Sequence, residues 1–86
     1  MLKVLMANDD LTPMEFVVLL LERFFGKSTD EATRIMLQVH HEGQAACGVY
    51  EEARARELSS EATAFTRQHG HPLQFSLADA DTGQPI

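Results

Sequence analysis

Asn8-Asp9-Asp10-Leu11-Thr12-Pro13-Met14-Glu15, followed by Phe16-Val17-Val18-Leu19-Leu20-Leu21-Glu22-Arg23-Phe24-Phe25-Gly26, decides how this chain folds. Three polar turn-formers end whatever precedes them. Thr12 then reads as a helix cap, Pro13 occupies the first helical position where its missing N–H costs nothing, and Glu15 completes a capping box. The apolar run that follows predicts a helix ending at Gly26. Nine of the twelve residues from Met14 to Phe25 are apolar, so this helix is expected at the centre of the core or against a partner.

Upstream, residues 2–7 are short, apolar and bounded by the polar turn, which suits a buried strand. Downstream, Ser28-Thr29-Asp30-Glu31 repeats the capping signature. It opens a helix with Ala32, Ile35, Met36, Val39 and His40 on one stripe and Gly43 as its stop. Residues 45–50 read as a second strand, with Gly48 marking a bulge or a close contact. A third helix is expected over residues 52–69, with Ala55, Leu58, Ala62 and Phe65 inward, ended by Gly70 and Pro72. Leu73-Gln74-Phe75-Ser76-Leu77 alternates as a last strand. The order β-α-α-β-α-β predicts a single-domain α/β two-layer sandwich with a three-stranded, mainly antiparallel sheet. Residues 1–79 form the expected core domain, and the polar residues 80–86 an expected flexible tail.

Eighty-six residues with 44% apolar and 23% charged composition allow one modest core. A net charge of −6 argues against a nucleic-acid backbone partner and is compatible with a cationic ligand. One cysteine, Cys47, cannot form an internal disulfide, which points to a reducing cytoplasm. The polar cluster at residues 8–10 arrives before any signal-peptide core could form. The longest apolar run, residues 16–21, is far shorter than a bilayer span. The expectation is a cytoplasmic protein with no membrane segment.

Chemistry could sit at Asn8-Asp9-Asp10. A polar turn accounts for these residues locally. Yet two acids and an amide exceed a turn's needs, and together they offer the acceptors that suit an ammonium group with three donors. Met36, Val39 and His40 lie one turn apart, as do Met14 and Val17, and each set reads as core or as an adaptable apolar pocket. No Cys-x-x-Cys or His-Glu-x-x-His spacing gathers His40, His41, His69, His71 and Cys47 round a metal. No nucleophile elbow or phosphate loop accompanies the acids, so no metal, cofactor or catalytic residue is expected.

Residues 8–17 resemble the signature of the ClpS adaptors, bacterial proteins that deliver N-end-rule substrates to a ClpA-type AAA+ unfoldase and its peptidase. The likeness continues through Ala32-Thr33-Arg34-Ile35-Met36-Leu37, Val39-His40, Gly43, Cys47-Gly48-Val49-Tyr50 and His71-Pro72-Leu73, spanning about residues 2–77. It implies that Asn8, Asp9 and His40 bind a substrate's α-amino group, partly through water, with Asp10 and Thr12 shaping the rim. It implies that Met14, Val17, Met36, Val39 and Leu73 line a pocket for the first side chain, Met14 acting as gate. Such a pocket takes Leu, Phe, Tyr or Trp and excludes β-branched residues. The implied partners are N-terminal segments of substrate proteins and the unfoldase, bound by a monomer without cofactor or enzymatic activity.

Two departures from the family pattern stand out. Members usually carry a flexible extension before the first strand, which takes part in hand-over, and here the chain starts on that strand. A Glu and a Lys near the start of the third helix, on the unfoldase-docking face, are replaced by Ala53 and Leu58. The competing reading is a non-catalytic docking module resembling the C-terminal domain of the ribosomal stalk protein, in which the first helix docks a protein and the acids are caps.

Overall fold

A computed structural model describes residues 1–86, and its elements follow one another as β1 (Leu2–Ala7), α1 (Met14–Phe25), α2 (Thr29–Glu42), β2 (Gln44–Tyr50), α3 (Glu52–Gln68) and β3 (Gln74–Asp79). The sheet runs β2-β1-β3 and is antiparallel throughout. Leu2, Val4 and Met6 alternate onto its inner face, as a strand with period two requires, and the helices cover that face. Phe16, Val17, Leu20, Leu21 and Phe25 of α1 join them in the core with Ala32, Val39, Ala55, Leu58, Ala62 and Leu73. The α/β sandwich expected from the order of elements is therefore the one formed.

The bulge falls where Gly48 marked it. Val4 faces Gly48 while Leu5 faces Ala46, so Cys47 is the extra residue. A Cβ at position 48 would sit 2.5 Å from the Tyr50 hydroxyl, so a side chain there would force the Tyr50 ring to move.

Two expectations need correction. Thr12 does not cap α1: Pro13 is the N-cap residue, extended at ψ 143, and no side chain caps the helix. The Thr12 hydroxyl donates instead to the Asp9 carboxylate, three residues back. Leu58 faces inward, as its stripe on the third helix predicted, and is not on the docking face that the family resemblance implied for its position. It is 2% exposed and belongs to the core, because it lies on the stripe of α3 with Ala55 and Ala62 that faces the sheet. Of the two departures on α3, only Ala53 is on the surface. Residues 80–86 turn back onto the sheet. The Asp79 carboxylate accepts from the N–H groups of Asp81 and Thr82, and the N–H of Ile86 donates to Leu77. Pro85 bridges to Ala78, so the tail folds back along the free edge of β3.

Ser28 caps α2 as expected, accepting from the N–H of Glu31. Gly43 ends that helix at φ 88, a left-handed turn in which its N–H returns to the Val39 carbonyl. The reversal sends the chain straight into β2 alongside β1.

Candidate functional site

The register of the sheet brings the site together. Ala7, the last residue of β1, pairs with Gln44 at the start of β2 and with Gln74 at the start of β3. The turn after β1, the last turns of α2 and the residue before β3 therefore converge at one end of the molecule. The main-chain N–H of Asn8 donates to the Gly43 carbonyl at 2.8 Å and fastens the turn to the end of α2.

A cavity of about 260 Å³ opens there. Its lining contains all ten residues singled out in the sequence: Asn8, Asp9, Asp10 and Thr12 from the β1–α1 turn, Met14 and Val17 from the first turns of α1, Met36, Val39 and His40 from α2, and Leu73. Pro13 is the eleventh, overlooked because its part in starting the helix accounted for it. The volume lies below the roughly 300–1,000 Å³ of a drug-sized site, which suits one side chain with its backbone terminus.

Polarity is divided across the cavity. Val17, Val39 and Leu73 are 7%, 2% and 1% exposed and form an apolar floor backed by the core. Met36 is half-buried, and Met14, 45% exposed, stands at the mouth. Asn8, Asp10 and His40 are exposed and Asp9 is half-buried. The Asn8 side-chain amide donates to Asp10 at 3.0 Å. A backbone turn, Thr12 N–H to the Asp9 carbonyl at 3.2 Å, orders the same segment. Acceptors on a rim above an apolar hollow can hold a cationic head and an apolar body at once.

The remaining histidines sit elsewhere. His71 packs edge-on against Phe16 and His69 against Phe65, each with ring centroids 4.4 Å apart, while His41 lies against His40. Nowhere do three metal-ligating side chains gather. Cys47 is buried in β2.

The family model for the ATP-dependent Clp protease adaptor protein ClpS matches residues 1–76. The chain belongs to the ClpS family. A ClpS adapter of Rhodospirillum centenum is 57% identical over 77 residues, covering 90% of this chain and 71% of the relative. That of Zymomonas mobilis is 53% identical over 78 residues, covering 91% and 73%. The structure of Agrobacterium tumefaciens ClpS2 bound to L-phenylalaninamide superposes with a TM-score of 0.85 at 38% identity, covering 88% of this chain and 92% of that one. Membership of the ClpS family makes this chain an adaptor of the Clp protease rather than a catalyst.

Proposed function

We propose that the cavity receives the first residue of a polypeptide whose α-amino group is free and whose side chain is bulky and apolar, and that this ClpS-family chain delivers such N-degron substrates to a ClpA-type unfoldase. Asn8, Asp9 and His40 take the ammonium, and Met14, Val17, Met36, Val39 and Leu73 surround the side chain. The observation that carries this reading is the division of one cavity into a polar rim and an apolar floor. The phenylalaninamide bound by the Agrobacterium tumefaciens relative, an aromatic residue with a free amino group, has the matching chemistry.

The energetics are sufficient. Three hydrogen bonds to a charged group at roughly 1.5–3 kcal/mol each join about 1.5–3 kcal/mol for burying one Leu or Phe side chain. After the cost of ordering a flexible peptide, affinity falls on the order of micromolar. Leu, Phe, Tyr and Trp fit this description. β-Branched first residues are excluded on this reading, as the family resemblance implies. The protein works as a cytoplasmic monomer, without nucleic acid, in keeping with its net charge of −6. No helix is long and apolar enough to cross a membrane.

Fluorescence anisotropy tests the reading with three labelled peptides, identical except for a free Leu, an acetylated Leu, or a Met placed before that Leu. Binding of the first alone is the expected result. Equal affinity for all three would overturn it.

A further inference from the structure

Asn8 and Asp9 are each held by a neighbour. The Nδ2 of Asn8 donates to Oδ1 of Asp10 at 3.0 Å, and the Thr12 hydroxyl donates to Oδ2 of Asp9. For Asn8 the bond decides more than position. A carboxamide has an oxygen that accepts and an NH2 that donates, and only the oxygen can receive an ammonium. Turned over, the same amide would aim donors at a cation and repel it. An ionised carboxylate only accepts, so Asp10 engages the NH2 and leaves the Asn8 oxygen as the free end.

Thr12 does the equivalent for Asp9. It is 8% exposed and stands one residue before the N-cap, so its hydroxyl is not spent on the helix. With Oδ2 engaged, the Asp9 carboxylate cannot turn freely, and Oδ1 is left to accept.

We propose that Asp10 and Thr12 are positioning residues of the amine seat. Asp10 fixes the Asn8 amide with its oxygen outward, Thr12 fixes the Asp9 carboxylate, and both act through these neighbours rather than on the ligand. The inference rests on Asn8 and Asp9 receiving an amino group.

Double-mutant cycles read by anisotropy test it, using a peptide with a free N-terminal Phe and its acetylated twin. Asp10→Ala and Thr12→Val are each expected to cut the free-over-acetylated preference about tenfold, and Thr12→Ser to keep it. The deciding readout is non-additivity. Asn8→Ala/Asp10→Ala should bind no more weakly than Asn8→Ala, and Asp9→Ala/Thr12→Val no more weakly than Asp9→Ala. Losses that multiply within each pair would mean direct action on the ligand and overturn the proposal.

A second measurement needs no peptide. In the 15N–1H spectrum, Asp10→Ala should move the side-chain NH2 signals of Asn8 and bring its two proton shifts closer together. Unchanged signals overturn the proposal as well. Because Asp10 is exposed, its cycle stands even if Thr12→Val fails to fold. A wild-type protein indifferent to acetylation would overturn the amine seat itself. A wild-type preference with multiplying losses would overturn this inference alone.

Discussion

The N–H of Asn8 and the carbonyl of Gly43 meet at 2.8 Å, joining the turn that carries the acidic rim to the helix end that carries His40. The two halves of the rim are far apart in sequence and are held in register by this main-chain bond and by the Ala7–Gln44 pair beside it. Gly43 can make the bond only because it turns at φ 88, where a side chain is strained even though nothing lies within 4 Å of an added Cβ.

Gly43→Ala should therefore cost about 1–2 kcal/mol, from conformation and not from a clash. In a domain of this size each kcal/mol lowers the melting temperature by about 4–8 °C. Affinity for a free-amine peptide should fall as well, since the Asn8 partner is displaced. Gly26→Ala, at φ 63 after α1 and outside the cavity lining, is the control: it should lose stability and keep its affinity. Melting curves and peptide titrations on the two variants separate the effects.

Floor and rim residues should respond differently. Leu73 is 1% exposed and part of the core, so Leu73→Ala is expected to cost about 2–5 kcal/mol and to weaken binding. Asp9→Ala should reduce free-amine affinity by at least about tenfold while chemical denaturation shows a midpoint near wild type. A protein-docking module with no amine seat would bind its partner equally well with Asp9→Ala.

Placing a lysine at 58 tests the position of that residue. Leu58 is 2% exposed, so Leu58→Lys puts an ammonium into the core and should destabilise by at least about 3 kcal/mol or prevent folding. Ala53→Glu lies on the exposed face of α3 and should change stability by less than about 0.5 kcal/mol. Circular dichroism melts of both variants give the comparison.

Burial pushes the Cys47 thiol up to about 12, against a small opposing pull from Lys27. The thiolate is the nucleophile, so iodoacetamide at pH 8 should leave the native protein unmodified and label it on denaturation, as mass spectrometry would show. The sign for stability follows. Because the folded value lies above the unfolded one, the thiol's contribution is complete below about pH 9. It declines as pH rises from there towards about 12, where the unfolded chain has lost the proton and the folded one keeps it.

At the other end of the sheet, hydrogen bonds from the N–H groups of Thr82 and Asp81 hold the Asp79 carboxyl below its usual range. Asp79→Ala should release the returning tail. Faster amide hydrogen exchange at Gly83 and Ile86, with unaltered peptide affinity, is the expected outcome, since Asp79 pairs with Leu2 and the cavity lies beyond Ala7.

Much of this architecture is legible without coordinates, because the signals are local. The six elements follow from apolar periodicity and from punctuation at Gly26, Gly43 and Gly70, whose left-handed turns only glycine adopts cheaply. What misleads is local grammar overruled by a neighbour. Thr12-Pro13-Met14-Glu15 has the form of a capping box, yet the N-cap residue is Pro13, and Thr12, one residue too early, donates to the Asp9 carboxylate. Leu58 matches a docking-face position of the family, but its own apolar stripe with Ala55 and Ala62 predicted it inward, where it lies. The polar tail lacks the composition of a strand, and the open edge of β3 recruits it regardless.

By itself, then, the sequence determined the elements and their order, because helix periods and glycine turns are properties of short stretches, while its motifs carried the resemblance to the family that implied ten candidate site residues. Only the tertiary structure decided that those residues share one cavity, that Pro13 joins them, and that Asp10 and Thr12 hold Asn8 and Asp9. These outcomes depend on strand register and on which acceptor a hydroxyl or an amide reaches first. Such competition is settled in space, between groups whose separation along the chain says nothing of their distance.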